Sequence, residues 1–170
     1  MSKLPLEKKH RAPWNKECDG KLYPHELCHV FRTDVVQVLF MLPSARDYDT
    51  MLSVMYALLA AISTELDIER TDIKGCLHKK RTDDGLLCAV VLYDAVPGGA
   101  GHVRRLVTDD FAVFARVIKR AIDITENCTC DPSCYSCLRN YYNQQVHERL
   151  DRKAACNFLK NFSGEGRELT

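Results

Sequence analysis

A cluster of four cysteines in the last third of the chain constrains its fold more than any other feature. Its spacing is Cys-x-Cys-x3-Cys-x2-Cys, formed by Cys128, Cys130, Cys134 and Cys137. A tetrahedral zinc site needs four ligands at ~2.3 Å from one ion, and short spacers let a single loop supply them. The turn-forming Asp131, Pro132 and Ser133 let the chain double back. The motif predicts one closed zinc site, without an open position for a catalytic water. An iron–sulfur cluster is the alternative ligation, and cysteines without metal are the remaining interpretation.

The overall composition favours an intracellular globular protein. The 170 residues are 46% apolar, which suits one hydrophobic core, so we expect a single domain. The charged start MSKLPLEKKHRAPW lacks the apolar run of a secretory signal, and the runs VVQVLFML and LLCAVVLYDAV are too short to span a bilayer. Nine cysteines cannot all pair within one chain, and the cytosol keeps thiols reduced. We therefore expect a cytoplasmic protein with no membrane partner, whose clustered cysteines bind metal.

The first half of the chain predicts one strand and one helix after an irregular segment over residues 1–32. The stretch TDVVQVLFML, from Thr33 to Leu42, is continuously apolar, as in a strand covered on both faces. Ser44, with Asp47 three positions later, predicts a capping box. The following helix carries an apolar stripe at spacings of three and four, formed by Met51, Met55, Leu58, Ile62 and Leu66.

The second half predicts a hairpin and further helices. RTDIKGCLHKK and GLLCAVVLYDA are typical of two strands joined by a turn at RTDDG, the second of them buried. Helical patterns follow in HVRRLV and then, after a cap at Thr108 or Asp109, along Phe111, Phe114, Ile118 and Ile122. The last amphipathic helix lies in NQQVHERLDRKAACNFLKNF and places Val146, Leu150, Ala154, Phe158 and Phe162 on one line.

These elements predict an α/β or α+β fold. A single domain over residues 33–162 would contain a small sheet of three or more strands, flanking helices and the four-cysteine zinc knot before the terminal helix. Residues 163–170 are predicted to be a disordered tail.

A glycine-rich turn after the buried strand is a candidate anion-binding loop. Strand, turn and helix start would be formed by Asp94, Gly98, Gly99, Gly101 and His102. Such a turn offers backbone N–H groups and a helix N-terminus to an anion. A turn in which only glycine fits the backbone is the equally weighted alternative. The loop is not a phosphate-binding P-loop, because no Lys-Ser or Lys-Thr follows the glycines.

Two further metal sites are weaker candidates. Cys18, His25, Cys28 and His29 offer zinc ligands at irregular spacing. Asp94, with Glu65 or Asp72 and Lys74, could surround a magnesium ion near strand ends, as in a phosphodiesterase. This second set defines the alternative that the chain is a metal-dependent, nuclease-like enzyme.

Charge and aromatic patterning predict a local nucleic-acid surface. The net charge of +1 gives no global attraction to a polyanion, so any contact must be local. The candidates are Lys79, Lys80 and Arg81 in the hairpin, and Arg139, Tyr141, Tyr142, Arg149 and Arg152 after the cysteines. Tyrosines can stack on unpaired bases while arginines meet phosphates, a combination suited to single strands. The alternatives are ordinary solvated charges and tyrosines packed in the core.

The order of these features resembles a known family. FRTDVVQVLF, a long helix, a strand ending in LYDAVPGGAG, and the cysteine motif followed by YYNQQVHERLDR are similar to a zinc-binding domain of bacterial superfamily-two helicases. That domain lies at the C-terminus of helicases of the mitomycin-repair-factor type and is often labelled a domain of unknown function. Related domains also occur in helicase-like components of anti-phage defence systems. The resemblance spans roughly Phe31 to Leu159.

The resemblance implies that Cys128, Cys130, Cys134 and Cys137 bind zinc and that the domain serves a DNA helicase in repair or anti-phage defence. The ATP-binding and helicase motifs are absent from the sequence, so we expect no enzymatic activity from this chain alone. Its partners would be DNA, single-stranded as the charge and aromatic patterning suggests, and a helicase core in the same chain or a separate subunit. Cys28 stands where relatives tend to have glycine. A protein-docking module without DNA contact remains a further alternative.

Overall fold

The computed structural model describes residues 10–11, 17–18, 20, 23, 28–83 and 85–164. The chain divides into two compact units, Met1–Phe31 and Arg32–Thr170. In the first unit, β1 (His10–Arg11) and β2 (Glu17–Cys18) pair antiparallel, with His10 opposite Cys18. The sequence predicts irregular chain here, and strands of two residues are too short to produce a recognisable alternation.

The second unit contains a three-stranded antiparallel sheet. Its strands are β3 (Val35–Val38), β4 (Ile73–Thr82) and β5 (Gly85–Asp94), in the order β3-β5-β4. The predicted hairpin is confirmed, since β4 pairs with β5 from Ile73 opposite Asp94 to Thr82 opposite Gly85. The central strand is largely buried, as its apolar sequence indicates.

The prediction for the first strand of this sheet was wrong in extent and burial. Only Val35–Val38 is strand, and it lies at the sheet edge with a neighbour on one side only. Val35 is 55% exposed. The continuous apolar run reflects two environments, because the residues after β3 leave the sheet and Phe40 enters the core with an edge-on contact to Phe158.

The long helix α1 (Tyr48–Leu66) forms the centre of the core. All five residues of its predicted stripe are buried. It lies tightly against the sheet, since a Cβ on Gly75 would come within 3.0 Å of Met55. By length and composition α1 could cross a membrane, but 61% of its apolar window is buried inside the protein, as in the core helix of a globular domain.

The cap of α1 differs from the predicted one. Ser44 belongs to a 3₁₀ helix, Pro43–Arg46, and Asp47 is the N-cap. The Asp47 carboxylate accepts a hydrogen bond of 2.7 Å from the Thr50 backbone N–H. Hydrogen bonds from Thr50 lower the pKa of Asp47. Pro43 favours the extra turn, because it is tolerated at the start of a helix, and this turn moves the cap three residues along the chain.

The described part of this unit contains three more α-helices: α2 (His102–Arg105), α3 (Ala112–Glu126) and α4 (Arg152–Ser163). Helices α3 and α4 pack on α1 and on each other. The predicted stripe of α3 holds for Ile118 and Ile122, which are buried, whereas Phe111 precedes the helix and is 58% exposed. Phe111 has φ 64°, a left-handed conformation that takes its side chain off the helical stripe.

The terminal helix begins later than its pattern predicts. Residues Tyr141–Arg149 form a 3₁₀ helix, and α4 starts only after Asp151. The Asp151 carboxylate accepts the backbone N–H groups of Lys153 and Ala154 at 2.7 and 3.2 Å, and it thereby caps α4. The chain from α3 to α4 therefore has no α-helix, and the four cysteines lie in it.

Candidate metal centre and the adjoining surface

The four clustered cysteines point their sulfur atoms into one small volume. All four Sγ atoms lie within 4.8 Å of one another. The Sγ of Cys128 is 3.4 Å from that of Cys130 and 3.5 Å from that of Cys134, and Cys137 lies 3.6 Å from Cys130 and 3.9 Å from Cys134. A regular tetrahedron of sulfur around zinc has edges of about 3.8 Å when each Zn–S bond is about 2.3 Å. The sulfur positions therefore fit a single tetrahedral zinc ion.

This spacing also argues against the iron–sulfur alternative. In a cluster each cysteine binds a different iron atom or shares one with a single neighbour, which places the four sulfurs further apart than around one ion. Among the residues that the structure describes, the four cysteines form the one group with metal-ligand geometry.

The surroundings of the sulfurs oppose ionisation of two of the four thiols. Burial raises the pKa of Cys130 to about 12, and burial also raises that of Cys137. At Cys134 burial acts in the same direction, but hydrogen bonds from the Ser136 backbone and from neighbouring thiols lower its pKa to about 6. Zinc supplies the positive charge that lets all four ionise, and its binding therefore releases protons.

Arg152, at the start of α4, fixes the backbone of the cysteine loop. Its Nε donates to the carbonyl of Cys130 at 2.6 Å, and its Nη1 donates to the carbonyl of Thr125, at the end of α3, at 3.0 Å. Its backbone N–H donates to the carbonyl of Pro132 at 2.9 Å. Arg152 is half-buried. The guanidinium thus joins α3, the metal loop and α4 through its Nε and Nη1. Contact of Arg152 with phosphate remains a prediction.

Arg139 has a similar internal partner. Its Nε donates to the Oγ of Ser133 at 2.9 Å, and Ser133 is buried between the second and third cysteines. The Arg139 backbone N–H donates to the carbonyl of Cys134 at 3.0 Å. The half-buried Arg139 side chain thus stabilises the loop at its C-terminal end, just before the tyrosines.

Asn143 connects the metal loop to the 3₁₀ helix that follows. Its side chain donates to the carbonyl of Leu138 at 2.9 Å, while its Oδ1 accepts the Asn140 backbone N–H at 2.8 Å. The Nε2 of His147 lies 2.8 Å from the same Oδ1 and 3.1 Å from the Asn140 carbonyl. Both are acceptors, so Nε2 carries the proton. Asn143 is 1% exposed, so the residue after the tyrosine pair is locked in place.

Three tyrosines stand exposed around this locked segment. Tyr141 is 75% exposed and Tyr142 70% exposed, and their rings meet edge to face at 5.5 Å. Tyr135, between the third and fourth cysteines, is 61% exposed and contacts the His147 ring at 5.4 Å. The exposure rules out the core alternative for these rings, and a large aromatic surface lies directly beside the metal loop.

The remaining candidate cations lie in two other environments. Arg149 forms an ion pair with Asp49, at the start of α1, and its guanidinium covers the Tyr48 ring at 4.9 Å. Lys79, Lys80 and Arg81 are exposed on β4, near the end of the hairpin. No described hydrogen bond or ion pair joins these three residues to the tyrosines.

The anion at the glycine-rich loop is the protein's own Asp94. This carboxylate is fully buried, and it accepts backbone N–H groups from Ala100, Gly101, His102 and Val103 at 2.6–3.2 Å. The backbone N–H groups at the start of α2 thus have their hydrogen-bond acceptor within the protein. Position 99 requires glycine, because its φ is 79° and a Cβ there would lie 2.5 Å from an oxygen of Asp34.

The nuclease-like arrangement is not assembled around Asp94. Glu65 pairs with Arg116 and Arg120 on α3. The Asp72 carboxylate instead accepts the backbone N–H of Glu69 at 3.1 Å. Lys74 is exposed on β4. The described geometry gives no shared position for a magnesium ion.

The possible second zinc site lies partly outside the described residues. His25 is not described, Cys28 is exposed, and the His29 ring stacks on Phe31 at 5.4 Å. Binding of a second ion by Cys18, His25, Cys28 and His29 remains a prediction.

Comparison with known proteins agrees with this metal centre. A family model described as the MrfA Zn-binding domain matches residues 54–138, half of the chain, and the match includes all four clustered cysteines. The chain belongs to the MrfA Zn-binding domain family. With the sulfur geometry, this membership assigns one zinc ion to Cys128, Cys130, Cys134 and Cys137.

Relatives of this MrfA-type domain are parts of much longer proteins. Druantia protein DruE of Escherichia coli (strain UMEA 4076-1) is 28% identical in a 161-residue alignment that covers 84% of this chain and 8% of DruE. The crystal structure of the DUF1998 helicase MrfA bound to DNA matches with a TM-score of 0.60 at 16% identity, over 87% of this chain and 19% of MrfA. The MrfA complex with DNA and AMPPNP gives a TM-score of 0.57 at 18% identity, over 87% of this chain and 18% of MrfA. At these identities the two structures show a shared fold.

The residues that support the site in this MrfA-type domain were not recognised from the sequence. Asn143 is not among the predicted site residues, yet it is buried next to the tyrosine pair. Ser53, on the apolar helix α1, is fully buried and its Oγ accepts the Asp151 backbone N–H at 2.9 Å. A signal was present in Asn140 and Asn143, whose spacing of three is that of a capping box.

Loss of one cysteine ligand should abolish zinc binding. We expect native mass spectrometry to show one zinc ion per chain in the wild type and none in Cys134→Ser, because three thiolates leave the ion open to water and chelators. The free energy of unfolding should fall by at least about 3 kcal/mol, or roughly 6–12 °C in Tm.

The matched control is Cys76→Ser, which changes an exposed cysteine on β4 and should keep both zinc and stability. A brown protein that absorbs visible light, or a Cys134→Ser variant that retains zinc, would contradict the assignment.

A second test compares Arg152, which donates to backbone carbonyls, with the neighbouring surface cation Lys153. Arg152→Ala should cost about 2–3 kcal/mol in unfolding free energy, since two backbone carbonyls lose a charged donor. Zinc release to a chelator should become faster. Lys153→Ala removes the same charge from the next position, where the ammonium group pairs with exposed Asp131. That control should change stability by less than about 0.5 kcal/mol. Equal stability of the two variants in chemical denaturation would show that Arg152 does not hold the loop.

Proposed function

We propose that this chain is a zinc-stabilised accessory module of a DNA helicase. It supports DNA binding or unwinding in DNA repair or anti-phage defence, and it has no catalytic activity of its own. The DNA that it contacts is single-stranded.

The tyrosine pair is the observation on which this proposal rests. Tyr141 and Tyr142 expose most of their surface to solvent, although apolar ring area is normally buried. The buried Asn143 and the metal loop hold the backbone beside them, so little conformational entropy is lost when a base stacks on a ring. Stacking on an aromatic ring requires a base face that is not already covered by a neighbouring base pair. These properties support contact with an unpaired strand.

The chemistry of the buried groups supports a role without catalysis. Four thiolates occupy all four coordination positions of a tetrahedral zinc ion and leave none for a water molecule or a substrate. The buried acid that could have served a hydrolase, Asp94, engages both carboxylate oxygens with backbone N–H groups. The chain therefore contributes binding surface and rigidity, and a helicase core contributes ATP hydrolysis.

The lengths of the relatives support such a core as partner. The chain matches 8% of DruE and 19% of MrfA, which is named as a helicase bound to DNA. The core lies either in the same polypeptide or in a separate subunit. The cytosol keeps cysteine thiols reduced, and the proposed DNA partner is intracellular. Both are consistent with a cytoplasmic location.

Removal of the two rings should weaken binding to single-stranded DNA. We expect Tyr141→Ala/Tyr142→Ala to lose about tenfold or more in affinity for a fluorescent oligothymidine, since stacking contributes about 1–3 kcal/mol per base. Zinc content and Tm should stay close to wild type, because both rings lie on the surface.

The control is Tyr141→Phe/Tyr142→Phe, which keeps the stacking faces and should bind nearly as well as wild type. Unchanged affinity in a folded, zinc-loaded alanine variant would move the DNA surface elsewhere. Absence of any DNA binding by the wild type would instead favour a protein-docking module.

A further inference from the structure

The outer face of α3 carries three cations in a single cluster. Arg116, Lys119 and Arg120 are spaced at i, i+3 and i+4, which places them on one side of the helix. All three are exposed. The opposite side of α3 is buried, with Val117 and Ala121 in the core. Packing of this buried side fixes the position of the helix that carries the cluster.

Glu65 of α1 orients the two arginines of this cluster. Its Oε1 is 3.0 Å from the Nε of Arg120, and its Oε2 is 3.7 Å from the Nε of Arg116. The Glu65 side chain is only 15% exposed, whereas those of Arg116 and Arg120 are 60% and 45% exposed. One covered carboxylate thus contacts both guanidinium groups through their Nε atoms.

This arrangement leaves the outward parts of the cations available. In the described part of the chain, no hydrogen bond reaches the Nη nitrogens of Arg116 or Arg120, or the ammonium group of Lys119. Glu65 and Asp123 are the acids of the cleft that these cations line. A further guanidinium, that of Arg105, donates to the Leu66 carbonyl, next to Glu65 in the chain, at 3.3 Å. Three cations and two acids therefore line the cleft, which leaves a surplus of one positive charge.

We propose that Arg116, Lys119 and Arg120, oriented by Glu65, bind the backbone phosphates of nucleic acid. Planar guanidinium groups match the oxygen geometry of a phosphodiester, and two of them fixed by one carboxylate are preorganised for it. The proposal rests on and extends the proposed function, because it adds a phosphate-contacting surface on α3 to the base-stacking surface at the tyrosines. The two surfaces have different chemistry. The α3 cluster is expected to provide salt-dependent affinity without base preference, and the tyrosines to provide affinity that depends on bases.

The test is a titration of the zinc-loaded protein with a fluorescent single-stranded oligonucleotide at several salt concentrations. Arg116→Gln/Arg120→Gln should flatten the plot of log K against log salt concentration by about 0.7 for each lost phosphate contact. Arg32→Gln/Arg70→Gln is the matched control, since it removes the same charge from two other exposed arginines and should leave the slope unchanged. Tyr141→Ala/Tyr142→Ala should weaken binding with the wild-type slope.

Each outcome decides the proposal. A wild-type slope in folded Arg116→Gln/Arg120→Gln overturns it, and so does an equal loss of slope in the arginine control. Tighter binding of polyglutamate than of the oligonucleotide, lost in the same variant, would make the ligand an acidic protein and also overturns it. If the wild type binds no DNA, the proposed helicase-accessory function fails first, and tripolyphosphate then serves as the probe. Shifts of the Arg116 and Arg120 Nε–H signals in NMR spectra would still support a phosphate site, and their absence would exclude it.

Discussion

Coordination of one zinc ion between α3 and α4 is the constraint on which the exposed surface of this domain depends. The connection between these helices contains no α-helix or strand, and few of its side chains are buried, Cys137 and Leu138 among them. Such a segment cannot order itself by burial of apolar area alone. Four metal bonds supply the missing free energy. The guanidinium of Arg152 then ties the ordered loop to both helices, and Asn143 transmits that order to the tyrosines.

The rest of the unit is stabilised by different means. Helix α1 packs against the sheet and against α3 and α4, and its buried stripe needs no metal. Asp94 closes the turn that follows the central strand by accepting four backbone N–H groups. A hydrophobic core and a metal loop thus share one domain. The core fixes the positions of α3 and α4, and the loop between them carries the surface proposed to meet DNA.

Sequence patterns predicted those features that arise from local periodicity or close spacing. The α1 stripe, the hairpin and the zinc ligands are of this kind, since each is specified within a short stretch of chain. The internal hydrogen bonds of Arg152 and Arg139 could not be predicted, because a basic residue near a tyrosine suits a phosphate and an acceptor inside the protein equally well. The choice depends on Cys130 and Ser133, whose positions follow from the folded loop. The same holds for Asp94, whose partners lie six to nine residues away, and for Glu65, whose two arginines lie on another helix.

Hydrogen exchange with and without zinc tests the central claim most directly. If the metal orders the surface, its removal by a chelator should speed the exchange of amides over residues 128–151 by at least about tenfold, while amides of α1 and β5 change by less than about twofold. The tyrosine segment should lose protection together with the cysteine loop. Unchanged protection of residues 138–150 in the zinc-free protein would show that packing alone orders this surface, and would contradict the claim that the surface depends on zinc.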